Sequence, residues 1–440
     1  MDVQPACLPA TLRVNGIDGG GTRIAELFAH MRILWVKAGK LLPVDTGGKI
    51  RSYNLLRQIQ RRHDVTLLSY YGGKRDAAYD CDIAGHFPHV RTVCTGVPDE
   101  SGLHYLQHVW SRAPYAVVKF SAPPVRHAVR ESLASGRFDV CVCDFLSASL
   151  NFPRLLRTPT VLFQHNVESI LWNRQARHEP SLLKRLAFVL EAWKMRRYER
   201  HAVQRFDHVM AVSDADRDAF AQMTDRDRIS VVPTGVDVAQ YRSAASTPAR
   251  EPIVMFLGSM DWEANVDAVE FFAREVWPAI KVAVPQARFR IVGRNPAARV
   301  RALASESIEV TGTVPSVVEH LKEAAVVVVP LRIGGGTRLK IFEAMAAGRA
   351  VVSTSVGAEG LDVAHGRDIV LADAAAPFAS AVIDVLSDSA ARERLGRAAA
   401  ASASRYDWPE VAVRFEQILE RVIVAPQRES AYVRPARVGA

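Results

Sequence analysis

The chain has 440 residues, 49% of them hydrophobic and 23% charged, and a formal net charge of +9. That length is long for one domain and comfortable for two, each with its own core. No apolar run approaches the roughly 20 residues of a spanning helix, and the positive charge suits an anionic partner without choosing among nucleotide, anionic lipid and nucleic acid. The five cysteines, Cys7, Cys81, Cys94, Cys141 and Cys143, are odd in number and lack zinc-ligand spacing, which points to packing in a reducing compartment rather than to disulfides.

Residues 1–30 show no apolar periodicity and no continuous apolar core of a secretory signal, so they are expected to be a disordered leader. From residue 31 apolar strands alternate with amphipathic helices, the pattern of parallel sheets wrapped by helices. Strands are expected over 33–36, 65–69, 140–143, 160–163 and 209–212, and a second series over 253–257, 289–292, 326–329, 350–353 and 369–371. The implied plan is α/β: an N-terminal Rossmann-like domain over 31–238, a patternless linker over 239–252 and a C-terminal Rossmann-like domain over 253–405. A helix over 406–424 and a mobile tail over 425–440 complete it. Ligands of such sheets bind beyond the carboxyl ends of the strands.

In the first domain Gly47 and Gly48 stand at a helix N-terminus directly after the first strand, where bare backbone N–H groups could approach a phosphate or an acceptor; a plain tight turn is the alternative. The fingerprint G-x-G-x-x-G is absent, which counts against a dehydrogenase. Gln164-His165-Asn166-Val167-Glu168-Ser169 follows a strand, so His165 is a candidate to meet a sugar hydroxyl or developing charge. Residues 178–208 interleave Lys184, Arg185, Lys194, Arg196, Arg197, Arg200 and Arg205 with Leu183, Leu186, Val189, Leu190 and Trp193. This stretch reads as a solvated face over an apolar core, with a patch for anionic lipid as the rival. Ser213, three residues before Asp216, reads as a helix cap rather than half of a metal site.

In the second domain one strand ends in Gly258-Ser259 and another in Gly293-Arg294, and the 310–314 segment offers backbone groups around Val314. The densest signal follows the four valines at 326–329. Pro330 ends that strand, Gly334, Gly335 and Gly336 bare the backbone, and a helix from about Thr337 aims its N–H groups at the same spot. Arg338 and Lys340 add two positive charges there, so a diphosphate is expected. Glu343 lies one to two turns further along, positioned to grip a sugar hydroxyl pair.

The run Pro330-Leu, glycine loop, Lys340-Ile-Phe-Glu-Ala-Met-Ala-Ala-Gly348, then Ala350-Val-Val-Ser-Thr354, resembles the donor-site signature of retaining GT-B glycosyltransferases of family 4. The resemblance implies two Rossmann-like domains facing a central cleft, the first for acceptor and the second for a nucleotide-sugar. It implies that Glu343 holds the ribose hydroxyls, that His165 contacts the donor, that Glu168 lies near the acceptor and that Val314 lies near the base. Gly47, Gly48, Gly258, Thr337 and Leu339 join the donor site.

Two departures stand out. Gly335 replaces a second glutamate, leaving the hexose to the glycine-loop amides or Glu359. Ser259 replaces an arginine, and no lysine follows before Lys281, leaving the diphosphate to Arg338 and Lys340. The expected reaction is transfer to a hydroxyl of a glycan or lipid-linked glycan with retention, through a short-lived oxocarbenium ion pair. No metal, cofactor or nucleic acid is expected, and the location is cytoplasmic, with peripheral contact to an anionic membrane left open. A nucleotide-sugar epimerase and a degenerate nucleotide-sugar-binding protein are the rival readings.

Overall fold

The computed structural model describes residues 29–96, 105, 107–179, 181–247, 251–333 and 339–425. The leader (to residue 28), the tail (from 426) and the glycine loop with Thr337 and Arg338 lie outside the described residues. The described chain forms two compact units: one takes in the residues up to Val232 and those from Ala412, the other runs from Pro233 to Val411.

The first unit is a seven-stranded sheet in the order β3-β2-β1-β4-β5-β6-β7. Its strands are β1 (Arg32–Ala38), β2 (Asp64–Tyr71), β3 (Val90–Cys94), β4 (Val140–Asp144), β5 (Thr160–Phe163), β6 (His208–Ala211) and β7 (Ile229–Val231). The second unit is a six-stranded sheet in the order β10-β9-β8-β11-β12-β13. It comprises β8 (Ile253–Leu257), β9 (Arg288–Val292), β10 (Ile308–Gly312), β11 (Val326–Val329), β12 (Ala350–Ser353) and β13 (Val370–Leu371). All the pairings between these strands are parallel. In each unit the first strand sits beside the fourth, so the order reverses at β1/β4 and again at β8/β11. A reversal of this kind opens a crevice at the carboxyl ends of the strands.

Central strands are buried on both faces and read as continuous apolar runs. β11 is four valines, each fully buried. The strands absent from the sequence reading, β3, β7 and β10, are all outer strands of their sheets. Their patterns, such as Val90-Arg-Thr-Val-Cys94, carry the polar residues that an edge tolerates.

Two expectations are corrected. The 239–252 stretch is not a patternless linker: Val238–Ala245 is a helix capped by Asp237, and it buries Tyr241 and Ala244 in the core of the second unit. Its small and polar composition concealed those two inward positions. The 178–208 stretch is not a solvated face over an apolar core. It includes the whole of helix Leu182–Arg205, whose apolar residues Leu183, Leu186, Val189, Leu190 and Trp193 are exposed, while Glu191, Lys194 and Glu199 are buried.

Residues from Ala412 onward in the last helix, Trp408–Val424, pack in the first unit. There Phe415 stacks on Trp35 with centroids 5.4 Å apart, and Arg62 donates to the fully buried Glu416 at 2.7 Å. Among the described residues, no helix is long and apolar enough to cross a membrane.

Candidate functional site

The strand reversal in the first unit gathers an ionised cluster. Lys37 and Asp144 are register partners at the ends of β1 and β4, so their side chains share a face. Lys37 Nζ is 3.4 Å from Asp144 Oδ1, Trp35 Nε1 donates to Asp144 Oδ2 at 2.8 Å, and His165 Nε2 lies 2.9 Å from Asp144 Oδ1. All four side chains are buried. Burial opposes ionisation of Asp144, but Lys37 and His165 outweigh it and hold its carboxyl well below the usual range. Burial also pushes the His165 imidazole down to about 4 against the pull of Asp144, so the ring is neutral near pH 7. Nε2 is turned to the carboxylate without the alignment of a hydrogen bond, and Nδ1 is on the other side of the ring.

That Nδ1 faces the glycine pair. The helix Gly47–Ile59 starts at Gly47, and a Cβ on Gly48 would come within 3.2 Å of His165 Nδ1. A side chain there would crowd the imidazole, which would have to give by a few tenths of an ångström. Next to Asp144, Phe145 has φ +78°, a conformation that costs a non-glycine residue on the order of 1–3 kcal/mol. Its ring packs edge-on to His165, with centroids 5.1 Å apart.

Glu168 starts the next helix, Glu168–His178, and its amide donates to Glu199 Oε1 at 2.8 Å, as Ser169 N does to Oε2 at 3.1 Å. Glu199 thus satisfies the free N–H groups of that first turn from thirty residues away. Burial, and for Glu168 the neighbouring Glu199, push both carboxyls up to about 7. Asp144, Lys37 and Glu199 escaped the sequence reading because each ends a strand or sits in a basic helix with no motif around it. The Ser213 cap is present, with Oγ accepting from Asp216 N at 3.1 Å.

In the second unit β8 and β9 are pressed together beyond their last paired residues, for a Cβ on Gly293 would fall 1.6 Å from the Gly258 carbonyl oxygen. Two cations are fastened there. Arg294 Nε donates to Ser259 Oγ at 2.9 Å, and Ser259 Oγ donates to Asp261 Oδ1 at 2.7 Å. Lys340 Nζ donates to Asn265 Oδ1 at 2.5 Å, while Asn265 Nδ2 donates to the Ser259 carbonyl at 2.8 Å. Lys340 Nζ also lies 4.5 Å from the Phe256 ring centroid. Gly258 leaves room for this arrangement: a Cβ would stand 2.9 Å from Lys340 Nζ. Ser259, where the resemblance asks for an arginine, and Asn265 instead bond cations arriving from beyond β9 and from helix Leu339–Ala346. Arg294 was the residue that sequence reasoning did not assign to this task, since it lies 35 positions from Ser259.

Glu343, on the same helix as Lys340, accepts from the Tyr241 hydroxyl at 3.0 Å. Burial raises its carboxyl above the usual range, while Tyr241 and Lys340 pull it back. Leu339 begins the helix, Val314 packs against the core and Glu359 is exposed after β12. Among the described residues, no group of three or more His, Cys, Asp or Glu could hold a metal ion.

Two parallel Rossmann-like sheets of the same strand order in one chain define the GT-B class of fold. The architecture agrees with a solved structure, Anabaena Alr3699/HepE in complex with UDP and glucose, at a TM-score of 0.61 and 16% identity over 89% of this chain and all of that one. The family model for group 1 glycosyl transferases matches residues 251–388, and that for glycosyltransferase family 4 matches residues 46–240. The phosphatidyl-myo-inositol mannosyltransferase of Mycobacterium tuberculosis is 30% identical over 228 residues, 48% of this chain and 59% of the relative. That of Mycobacterium leprae is 27% identical over 352 residues, 76% of this chain and 88% of the relative. The chain belongs to the group 1, family 4 glycosyltransferases. It spans only 59% of the length of the Mycobacterium tuberculosis relative.

Proposed function

We propose that the chain transfers a sugar from a nucleoside-diphosphate donor to a hydroxyl of a glycan or lipid-linked acceptor, with retention at the anomeric carbon and without a metal. The observation that carries this is the pair Arg294–Ser259 and Lys340–Asn265 at the ends of β8 and β9. A leaving diphosphate needs negative charge stabilised in the transition state. In this reading Arg294 and Lys340 are two half-buried cations fixed in place for it, with Arg338 and the glycine-loop amides as further partners. Glu343, oriented by Tyr241, takes the ribose hydroxyls. In the first unit, neutral His165 offers Nδ1 to a sugar hydroxyl beside Gly48.

Retention follows if the acceptor attacks the face that the diphosphate leaves. The glycosidic bond to the leaving phosphate oxygen breaks, the acceptor oxygen bonds the anomeric carbon, and a phosphate oxygen takes the acceptor proton. The names of the mycobacterial relatives support a lipid-borne acceptor.

The test is calorimetric titration with UDP, GDP and ADP, followed by transfer from the matching nucleotide-sugar and assignment of the product anomer by NMR. A bound nucleotide with no transfer to any acceptor would leave a binding protein. Interconversion of the donor sugar without an acceptor would leave an epimerase.

A further inference from the structure

The first half of helix Leu182–Arg205 is turned inside out. Leu182, Leu183, Leu186, Val189, Leu190 and Trp193 are between 39% and 82% exposed. At about 100° per residue they share an arc of roughly 120°. The opposite face holds the helix to its unit: Phe188 packs edge-on against Trp172 at 5.9 Å, and Glu191, Ala192, Met195 and Glu199 are buried. Lys194, buried beside Glu191, donates to the Val109 carbonyl at 2.6 Å and so ties the segment carrying Trp110, 92% exposed, to the same helix.

The charge on this helix is one-sided. Its exposed charges from Leu182 to Arg200 are Lys184, Arg185, Arg196, Arg197 and Arg200, whereas its acids, Glu191 and Glu199, are buried. An exposed apolar stripe of this size marks a docking surface. A two-fold contact with a second copy would bring two cationic rims together, in a chain already at +9. An exposed stripe of leucines and a tryptophan with Arg185, Arg196, Arg197 and Arg200 on or beside it matches an anionic bilayer: rings and aliphatic chains enter the headgroup region while the arginines meet lipid phosphates.

We propose that this helix and the Trp110 segment form a docking surface for an anionic lipid bilayer. The docking is independent of the donor reading, because it is measured without nucleotide or acceptor. The full chain is sedimented with sucrose-loaded vesicles of phosphatidylcholine alone and of phosphatidylcholine mixed equally with phosphatidylglycerol. Wild type should pellet with the mixed vesicles, weakly with the neutral ones, and less as salt rises. Leu183→Glu/Leu186→Glu changes only exposed positions and should keep the melting temperature while lowering partition about tenfold or more. Arg185→Glu/Arg196→Glu should lose most of its preference for the anionic vesicles. Equal pelleting of wild type and the double-leucine variant, or no pelleting of wild type, overturns the proposal. A lipid-free wild type that is dimeric, with the double-leucine variant monomeric, overturns it in favour of self-association.

Discussion

Glu343, half-buried, and His165, buried, each lie beside one chosen partner, and that partner decides what each can do. Tyr241 donates to Glu343 and turns the carboxylate one way. Glu343→Ala removes charge-assisted hydrogen bonds worth roughly 1.5–3 kcal/mol to a ribose, so titration should find nucleoside-diphosphate binding about tenfold to a hundredfold weaker. An unchanged dissociation constant would retire the assignment.

Gly48 makes a steric prediction. The methyl of Gly48→Ala would press on His165 Nδ1 at 3.2 Å, and the buried ring has little room to yield. Turnover should fall several-fold while the melt stays cooperative, an outcome that thermal scans and initial rates would separate.

His165 also predicts a pH limb. The folded ring keeps neutral down to about 4 because burial resists its charge, whereas the unfolded ring takes a proton below about 6.5. Its contribution to stability is therefore complete above about 6.5 and is lost as pH falls toward 4, by up to about 1.4 kcal/mol per pH unit. Glu168 and Glu199, held protonated up to about 7, slope the other way. Only a variant isolates the histidine: the difference in urea-melt free energy between wild type and His165→Asn should change by up to about 1.4 kcal/mol per pH unit as pH falls from about 6.5 to 5, to the cost of wild type, and a difference that does not vary with pH would contradict the burial argument.

At the scale of elements, strand ends and helix starts do the positioning. The helix Glu168–His178 has Val167 as its N-cap, which makes no side-chain hydrogen bond, so the buried Glu199 carboxylate accepts its first amides instead. Glu199→Ala should cost on the order of 1–3 kcal/mol and loosen the loop that presents His165, seen as faster amide hydrogen exchange at Glu168 and Ser169. Glu199→Gln, keeping one acceptor, should recover part of it.

The meeting of β8 and β9 makes the complementary prediction. With Ser259 and Asn265 serving as holders, Arg294→Ala/Lys340→Ala should weaken nucleoside-diphosphate binding by about a hundredfold or more while the sheet still melts cooperatively. Ser259→Arg in that double variant should restore part of the binding. Calorimetry that finds the double variant binding as tightly as wild type would place the phosphate elsewhere.

For the molecule as a whole, a nucleotide that binds only the folded second unit stabilises it by about 2.7 kcal/mol at a hundred times its dissociation constant. Scanning calorimetry with UDP, GDP and ADP should therefore show one nucleotide raising a transition that the others leave in place.

Much of this molecule was decided locally. Runs such as Val326–Val329 are apolar on both faces because a central parallel strand is covered twice, so the α/β plan and the central strands could be read in order along the chain, with His165 placed just after a strand and Gly48 at the start of a helix. What tertiary structure decided was every pairing across distance. Edge strands β3, β7 and β10 hide because one side of an edge accepts polar residues. Tyr241 hides in a segment whose composition resembles a linker, and the outward stripe of helix Leu182–Arg205 has the same period as an inward one. Above all, Asp144 beside His165, and Arg294 and Lys340 on Ser259 and Asn265, are contacts between residues 21 to 75 positions apart. A one-dimensional pattern records which side chain follows which, but a parallel sheet brings together the ends of strands separated by whole helices, and only that folding sets one charge beside another.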